Sequence, residues 1–196
     1  MTETTPRREA TRTKLVEAAV HEFAEQGIDA TSVERLCETA GFTRGAFYSN
    51  FATKDDLCIA ILEAHAERTL RSLQETLGPS TGRGAGIPWA VGEAMPTFFR
   101  TLGPTADFRR TMVEIRLRAT RSPELAARLA AFEAEIFPSL TDALRRAADH
   151  AGLTFRLPPE RMISVFDAVF FRPSPDGSVD QELMSALVVA LMAPRD

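Results

Sequence analysis

The sequence is poor in the residues that most chemistries require. In 196 residues it has two cysteines, Cys37 and Cys58, and three histidines, His21, His65 and His150. Two thiols set in apolar helical patterns read as small buried hydrophobes, with a redox-sensing pair as the remote alternative. No cysteine and histidine cluster has metal-ligand spacing. His21-Glu-Phe-Ala-Glu25 begins like a zinc-protease motif, but Glu25 stands where the second His is needed. Gly82, Gly84 and Gly86 alternate and follow no strand, so they read as a loop and not as a phosphate cradle. An enzyme is therefore the weaker reading, and no catalytic residue, metal or cofactor is expected. Also missing is any apolar run near the roughly 20 residues of a membrane span. Met1 to Arg12 is polar and lacks the apolar segment of a secretory signal. A cytoplasmic protein with no membrane partner is expected.

What is present is the composition of a globular chain, 44% hydrophobic and 26% charged. It is long enough to bury a core without cross-links. Ala, Leu, Glu and Arg dominate, which favours helices. The net charge is −4, which taken alone opposes nucleic acid as a partner. The distribution points the other way. Arg7, Arg8, Arg12 and Lys14 crowd the N-terminus, and Arg44 and Lys54 open two helices. A small basic face on an acidic body would bind random DNA weakly.

Periodicity predicts an all-α protein of nine helices with no convincing strand. Leu15, Ala18, Ala19, Phe23 and Ala24 share one face of the first helix, which Gly27 ends. Thr31-Ser-Val-Glu34 reads as a capping box opening a short second helix through Leu36, Cys37 and Ala40. Gly41-Phe42 breaks it, and Thr43 caps a third that carries Ala46 and Phe47 and ends near Phe51. A long fourth helix starts at Thr53-Lys54-Asp55-Asp56 and runs to Gly78. Residues 78–88 form the clearest loop. Helices follow from about Trp89 to Leu102 and from about Asp107 to Thr120. Ser122-Pro123 opens the longest, to His150, with a kink or break expected at Pro138. The eighth runs from Pro158-Pro159 to about Phe171. The ninth opens with Ser178 and Gln181 as a capping box.

Residues 31–51 carry the functional signal. Two short helices joined by a tight turn at Gly41 make a helix-turn-helix, whose second helix enters the major groove. Ala46, Phe47 and Phe51 suit its inner face, leaving Thr43, Arg44, Gly45, Tyr48, Ser49 and Asn50 outside. Thr43 and the N–H groups beside it can bond a phosphate. Arg44 can read the O6 and N7 edge of a guanine. Gly45 lets the backbone approach. Tyr48 offers a hydroxyl to phosphate and a ring to a thymine methyl. Ser49 and Asn50 suit phosphates or base edges. Lys54, Thr31 and Ser32 are placed for the DNA backbone. The same stretch also suits an ordinary helix hairpin in a bundle, and periodicity alone does not separate the two.

Residues 12–57 resemble the N-terminal domain of the tetracycline-repressor (TetR) family. The resemblance runs without gaps through Lys14-Leu-Val-Glu-Ala-Ala19, Phe23-Ala-Glu-Gln-Gly27, Thr31-Ser-Val-Glu-Arg-Leu36, Ala40-Gly-Phe-Thr-Arg-Gly-Ala-Phe-Tyr-Ser-Asn-Phe51 and Thr53-Lys-Asp-Asp-Leu57. Cys37 departs from the usual aliphatic residue or Ala, and Asn50 from a common aromatic or His. The family implies a nine-helix fold, homodimers and repression controlled by an effector. It implies a helix-turn-helix domain over residues 1–53 and an effector-binding, dimerising domain over 54–196. The fourth helix would transmit a ligand-driven tilt to the two DNA heads. A ligand-independent architectural DNA protein on the same fold stays open.

In that frame Trp89, Met95, Phe98, Phe99, Met112, Ile115, Arg116, Phe132, Ile136, Phe137 and Phe166 are candidate lining for an apolar or aromatic effector. For any one apolar residue of this set plain core is the slightly stronger reading, and Arg116, a possible polar anchor, reads more readily as a surface or ion-pair residue. The eighth and ninth helices are apolar over more than one face and would pair with their copies. Met162, Phe166, Val169, Phe170, Leu183, Leu187 and Leu191 are the candidate dimer residues. Two-fold symmetry would set two reading heads on successive major-groove turns of a palindromic operator in double-stranded DNA, about 34 Å apart.

Overall fold

The computed structural model describes residues 6–77, 86–94, 96–97, 105–172 and 179–195. Its helices are α1 (Pro6–Gln26), α2 (Val33–Ala40), α3 (Arg44–Tyr48), α4 (Lys54–Leu77) and α5 (Gly86–Trp89), the last continued by a π-helical turn at Ala90–Ala94. They continue as α6 (Ala106–Ala119), α7 (Pro123–His150), α8 (Pro159–Phe170) and α9 (Gln181–Leu191). Among the described residues nine α-helices are found, but the fifth differs from expectation: Gly86–Trp89 is helical where a loop was expected, Ala90–Ala94 is a π-helical turn, and residues 98–102 of the expected helix lie outside the described residues. No described helix is long and apolar enough to cross a membrane.

The chain forms two compact units. One comprises Met1–Ala64 with Thr105–Ala130, and the other His65–Pro104 with Ala131–Asp196. In the first, α1 packs on α2 and on α6. Leu15, Ala19, Phe23, Leu36, Phe47, Leu57 and Ile115 are its buried apolar centre. The Thr111 hydroxyl of α6 donates to the Val20 carbonyl of α1 at 2.7 Å.

Polar clamps reinforce this unit. Glu22 on α1 is buried and accepts from Arg35 Nε of α2 at 3.0 Å and from the Thr39 hydroxyl. The Thr39 hydrogen bond, with Arg35 beside it, holds the Glu22 carboxyl below its usual value. A carboxylate whose pKa is lowered by folding stabilises the fold above its unfolded pKa and ceases to do so as pH falls through its folded one. A Glu22→Gln variant should therefore be less stable than the parent at pH 7. The gap should close as pH falls below about 4.5, the ordinary glutamate range. Urea unfolding at both ends of that range is the check, and a gap that does not depend on pH would remove the charge from this account.

The turn between α2 and α3 depends on Gly41, at φ 73°. There the chain reverses with the Phe42 N–H donating to the Cys37 carbonyl at 2.8 Å. That is the left-handed helix end that glycine favours. A Cβ at Gly41 would meet nothing within 4 Å, so the obstacle to a side chain is the backbone alone. Gly41→Ala should cost about 1–2 kcal/mol. Gly41→Asn should cost less, because Asn tolerates this region. Chemical denaturation of the two variants would show it, and equal costs would contradict it.

The second unit has its own apolar cluster. Trp89, Ala148, Ala151, Leu153, Met162, Val188 and Met192 are buried together, with Ile87, Leu144, Phe155, Phe166 and Leu191 against them. A short antiparallel ribbon closes it: β1 (Leu153–Phe155) pairs with β2 (Met192–Pro194). No strand was expected from the sequence. Runs of three residues are too short to show alternation, and their pairing joins segments about forty residues apart. At Pro138, where a kink or break is expected, helix α7 runs on without a break, with the proline on an exposed position. At α9 the side-chain cap is Asp180, which accepts from the Leu183 N–H at 2.9 Å. Ser178 lies outside the described residues.

Candidate nucleic-acid interface

Helix α3 is only five residues long, so caps and one anchor define it. Thr43 Oγ1 accepts from the Ala46 N–H at 3.3 Å, as its position before an apolar pair suggests. At the other end the Asn50 amide donates to the Ala46 carbonyl at 2.8 Å. Phe47 is the anchor. It is fully buried, edge-on to Tyr48 at 5.3 Å between ring centroids and tilted against Phe51 at 5.8 Å.

The opposite side of α3 is open. Thr43, Arg44, Gly45, Tyr48 and Ser49 are exposed, Tyr48 to 51%. Beyond its edge-on contact with Phe47, Tyr48 leaves half of its surface to solvent. Gly45 has only the Thr43 hydroxyl near its missing side chain, at 3.8 Å, so its smoothness serves the outer surface and not the core. Arg44 lies with its guanidinium carbon 5.9 Å from the Tyr48 ring centroid, and its Nη1 is 2.7 Å from Glu34 Oε1. Asn50 is half-buried, closing the helix rather than projecting from it.

Two residues expected at the DNA backbone are turned inward. Thr31 is fully buried, its hydroxyl donating to the Gly27 carbonyl at 2.7 Å. The cap of α2 is instead Ser32, exposed, with Oγ accepting from the Arg35 N–H at 3.1 Å. The N-cap is therefore one residue later than expected, and the capping box of Thr31 with Glu34 does not form. Lys54 reaches into the α1–α2 loop, where its Nζ donates to the carbonyls of Ile28 at 2.6 Å and Thr31 at 2.9 Å. Burial, with Arg118 near, pushes its pKa down. Three carbonyl partners, counting Asp29, satisfy an ammonium completely and leave it no donor for a phosphate.

Sequence reasoning missed several contacts around this face. Arg8 of α1 donates to the Ser49 carbonyl at the end of α3, at 3.1 Å. Arg12 stands 5.1 Å over the Phe51 ring and pairs with Glu63 at 2.6 Å. Arg118 of α6 binds Asp55 at 2.7 Å and also Asp29, and Arg128 binds Asp56 at 2.8 Å. The clustering of arginines near residue 10 was a visible signal. The partners, forty to ninety residues away, were not.

The candidate sensor and dimer residues divide between the units. Met112 and Ile115 are buried in the first, on α6, where Arg116 is half-buried. Trp89 is in the buried cluster of the second, with Phe166 packed against it. Phe132, Ile136 and Phe137 are half-buried on α7. Met95, Phe98 and Phe99 lie outside the described residues. Met162 and Phe170 are buried inside the second unit. Phe166, Val169, Leu183, Leu187 and Leu191 are half-buried, and Val189 beside them is 51% exposed. Two hydroxyls, Ser72 on α4 and Thr141 on α7, are buried without a hydrogen-bond partner among the described residues.

Residues 15–61 match the family model described as bacterial regulatory proteins, tetR family. The chain is 29% identical over 119 residues to the transcriptional regulator UidR of Escherichia coli K12, covering 61% of this chain and 57% of that one. It is 29% identical over 139 residues to the transcriptional repressor Rv1474c of Mycobacterium tuberculosis H37Rv, covering 70% of this chain and 66% of that one. The matches thus span less than two thirds of either relative. The fold resembles that of SmeT, the repressor of the SmeDEF multidrug efflux pump of Stenotrophomonas maltophilia. That likeness has a TM-score of 0.59 at 23% identity, over 95% of this chain and 92% of that one.

Proposed function

We propose, for a chain that belongs to the tetR family of bacterial regulatory proteins, that it is a homodimeric repressor released from its operator by a small molecule. In this reading residues 1–53 hold the DNA and 54–196 sense the effector and dimerise. The observation that carries it is α3 itself: a buried Phe47 on one side, and Arg44, Gly45, Tyr48 and Ser49 exposed on the other. Such a helix has a face to be held by and a face to read with. Ser32 and Thr43, exposed at the two helix starts, are assigned to phosphates. With Thr31 and Lys54 committed internally, seven of the nine sequence candidates remain available, Asn50 in a closing role.

Half-buried apolar side chains on α8 and α9 support a seam between two copies. For the effector we infer an apolar or aromatic molecule. The orphaned Ser72 and Thr141 hydroxyls favour one that also carries a hydrogen-bonding group, because a buried hydroxyl without a partner costs about 1–3 kcal/mol. The description of SmeT as repressor of a multidrug efflux pump supports the same class of control.

The test is selection of random duplex DNA by the purified protein at about 0.15 M salt, where non-specific phosphate binding is suppressed. A two-fold symmetric sequence is the expected product. Recovery of no preferred sequence would overturn the reading in favour of an architectural DNA protein.

A further inference from the structure

We propose that Glu34 is a specificity-determining residue: it holds Arg44 in the direction that meets a base edge and withholds its charge from random DNA. This rests on α3 being the helix that enters the groove. Glu34 is the second residue of α2, and Arg44 is the first of α3. Their side chains meet across the turn at 2.7 Å, Arg44 Nη1 to Glu34 Oε1. Because Ser32 and not Thr31 caps α2, Glu34 stands one place too early to reach back and close a capping box. Its carboxylate is spoken for by Arg44 instead.

The pair constrains the guanidinium on two sides. Glu34 takes the Nη1 end, and the Tyr48 ring lies near the group, 5.9 Å from its central carbon. A guanidinium has five donors in a planar fork. Tyr48 also has a side-chain hydrogen bond with Arg44, so Glu34 and Tyr48 engage part of the fork and the donors that neither takes serve the paired O6 and N7 acceptors of a guanine. An arginine without Glu34 would sweep a wider arc and bond any phosphate within reach. Both side chains are well exposed, 60% for Arg44 and 50% for Glu34, so the pair is weak enough to adjust on binding.

Charge gives the second half of the effect. Glu34 cancels Arg44 where a phosphate would otherwise use it, and repels phosphates on its own account. Random DNA offers only phosphates in exchange for that repulsion. A sequence with a guanine in register offers a bidentate partner as well. Glu34 therefore lowers both affinities and lowers the random one more.

The test compares the full-length parent, Glu34→Gln, Arg44→Ala and the double variant. Each is titrated with the selected duplex and with a random-sequence duplex at about 0.15 M salt. Circular dichroism serves as the folding control. Glu34→Gln should raise affinity for random duplex and reduce the ratio of specific to random affinity about three- to tenfold. In the Arg44→Ala background the same substitution should leave that ratio unchanged. A ratio unaffected by Glu34→Gln alone would overturn the proposal. So would an equal fall in both backgrounds, which would mark a bulk charge effect. If Arg44→Ala by itself leaves both affinities unchanged, α3 is not the reading helix, and the proposal falls with that premise.

Discussion

Phe47→Ala should cost about 3–5 kcal/mol, the range for removing a buried phenylalanine. Total stabilities of domains are of order 5–15 kcal/mol, so this is a large share. The reason is specific to α3. A helix of five residues cannot persist by its own hydrogen bonds. It is held by the Thr43 cap and by one fully buried ring set edge-on to Tyr48 and tilted against Phe51. Truncation leaves a cavity and removes the anchor together. The variant should also lose DNA binding well below its unfolding temperature, because α3 loosens before the rest. Tyr48→Ala, on the exposed side of the same helix, should change stability by less than about 1 kcal/mol. Urea unfolding followed by circular dichroism compares them. A Phe47→Ala protein within about 1 kcal/mol of the parent would show that α3 is held some other way.

Arg44→Ala should have the larger effect on binding. One bidentate arginine–guanine pair contributes about 1–3 kcal/mol of discrimination. A two-fold symmetric complex uses two, so the loss is about 2–6 kcal/mol, or roughly thirtyfold to twenty-five-thousandfold in affinity for the selected duplex. Random duplex should be affected far less, since the pair with Glu34 already limits what Arg44 offers to phosphates. Stability should hardly change, because both side chains of the pair are exposed and water screens it. Equal losses on both duplexes would make Arg44 a phosphate contact and not a reader.

The parts of this molecule that could be read from sequence are those set by local spacing. Phe47 and Phe51 fall on one side of α3, and Leu15, Ala18, Ala19 and Phe23 on one side of α1, because each element's period places them there. Gly41 was legible as a turn because few other residues tolerate its backbone. Adjacent hydroxyls were harder. Thr31 and Ser32 are both good caps, and only packing decides that Thr31 points inward to the Gly27 carbonyl while Ser32 caps. Lys54 looked like a surface cation at a helix start. Its partners are loop carbonyls more than twenty residues earlier, which no local pattern announces. The same holds for α6. Met112 and Ile115 have the look of a sensor lining, but the helix packs on α1, so both are buried with the first unit's residues. In each case the deciding contact joins segments far apart in the chain.

Arg44 should meet a base edge in the major groove. Methylation interference on the selected duplex tests it most directly, because methyl groups at guanine N7 lie in that groove. The parent protein should be excluded by methylation at one symmetric pair of guanines, and Arg44→Ala should be indifferent to methylation at that pair. An interference pattern that is identical for the two proteins, or absent from both, would contradict it.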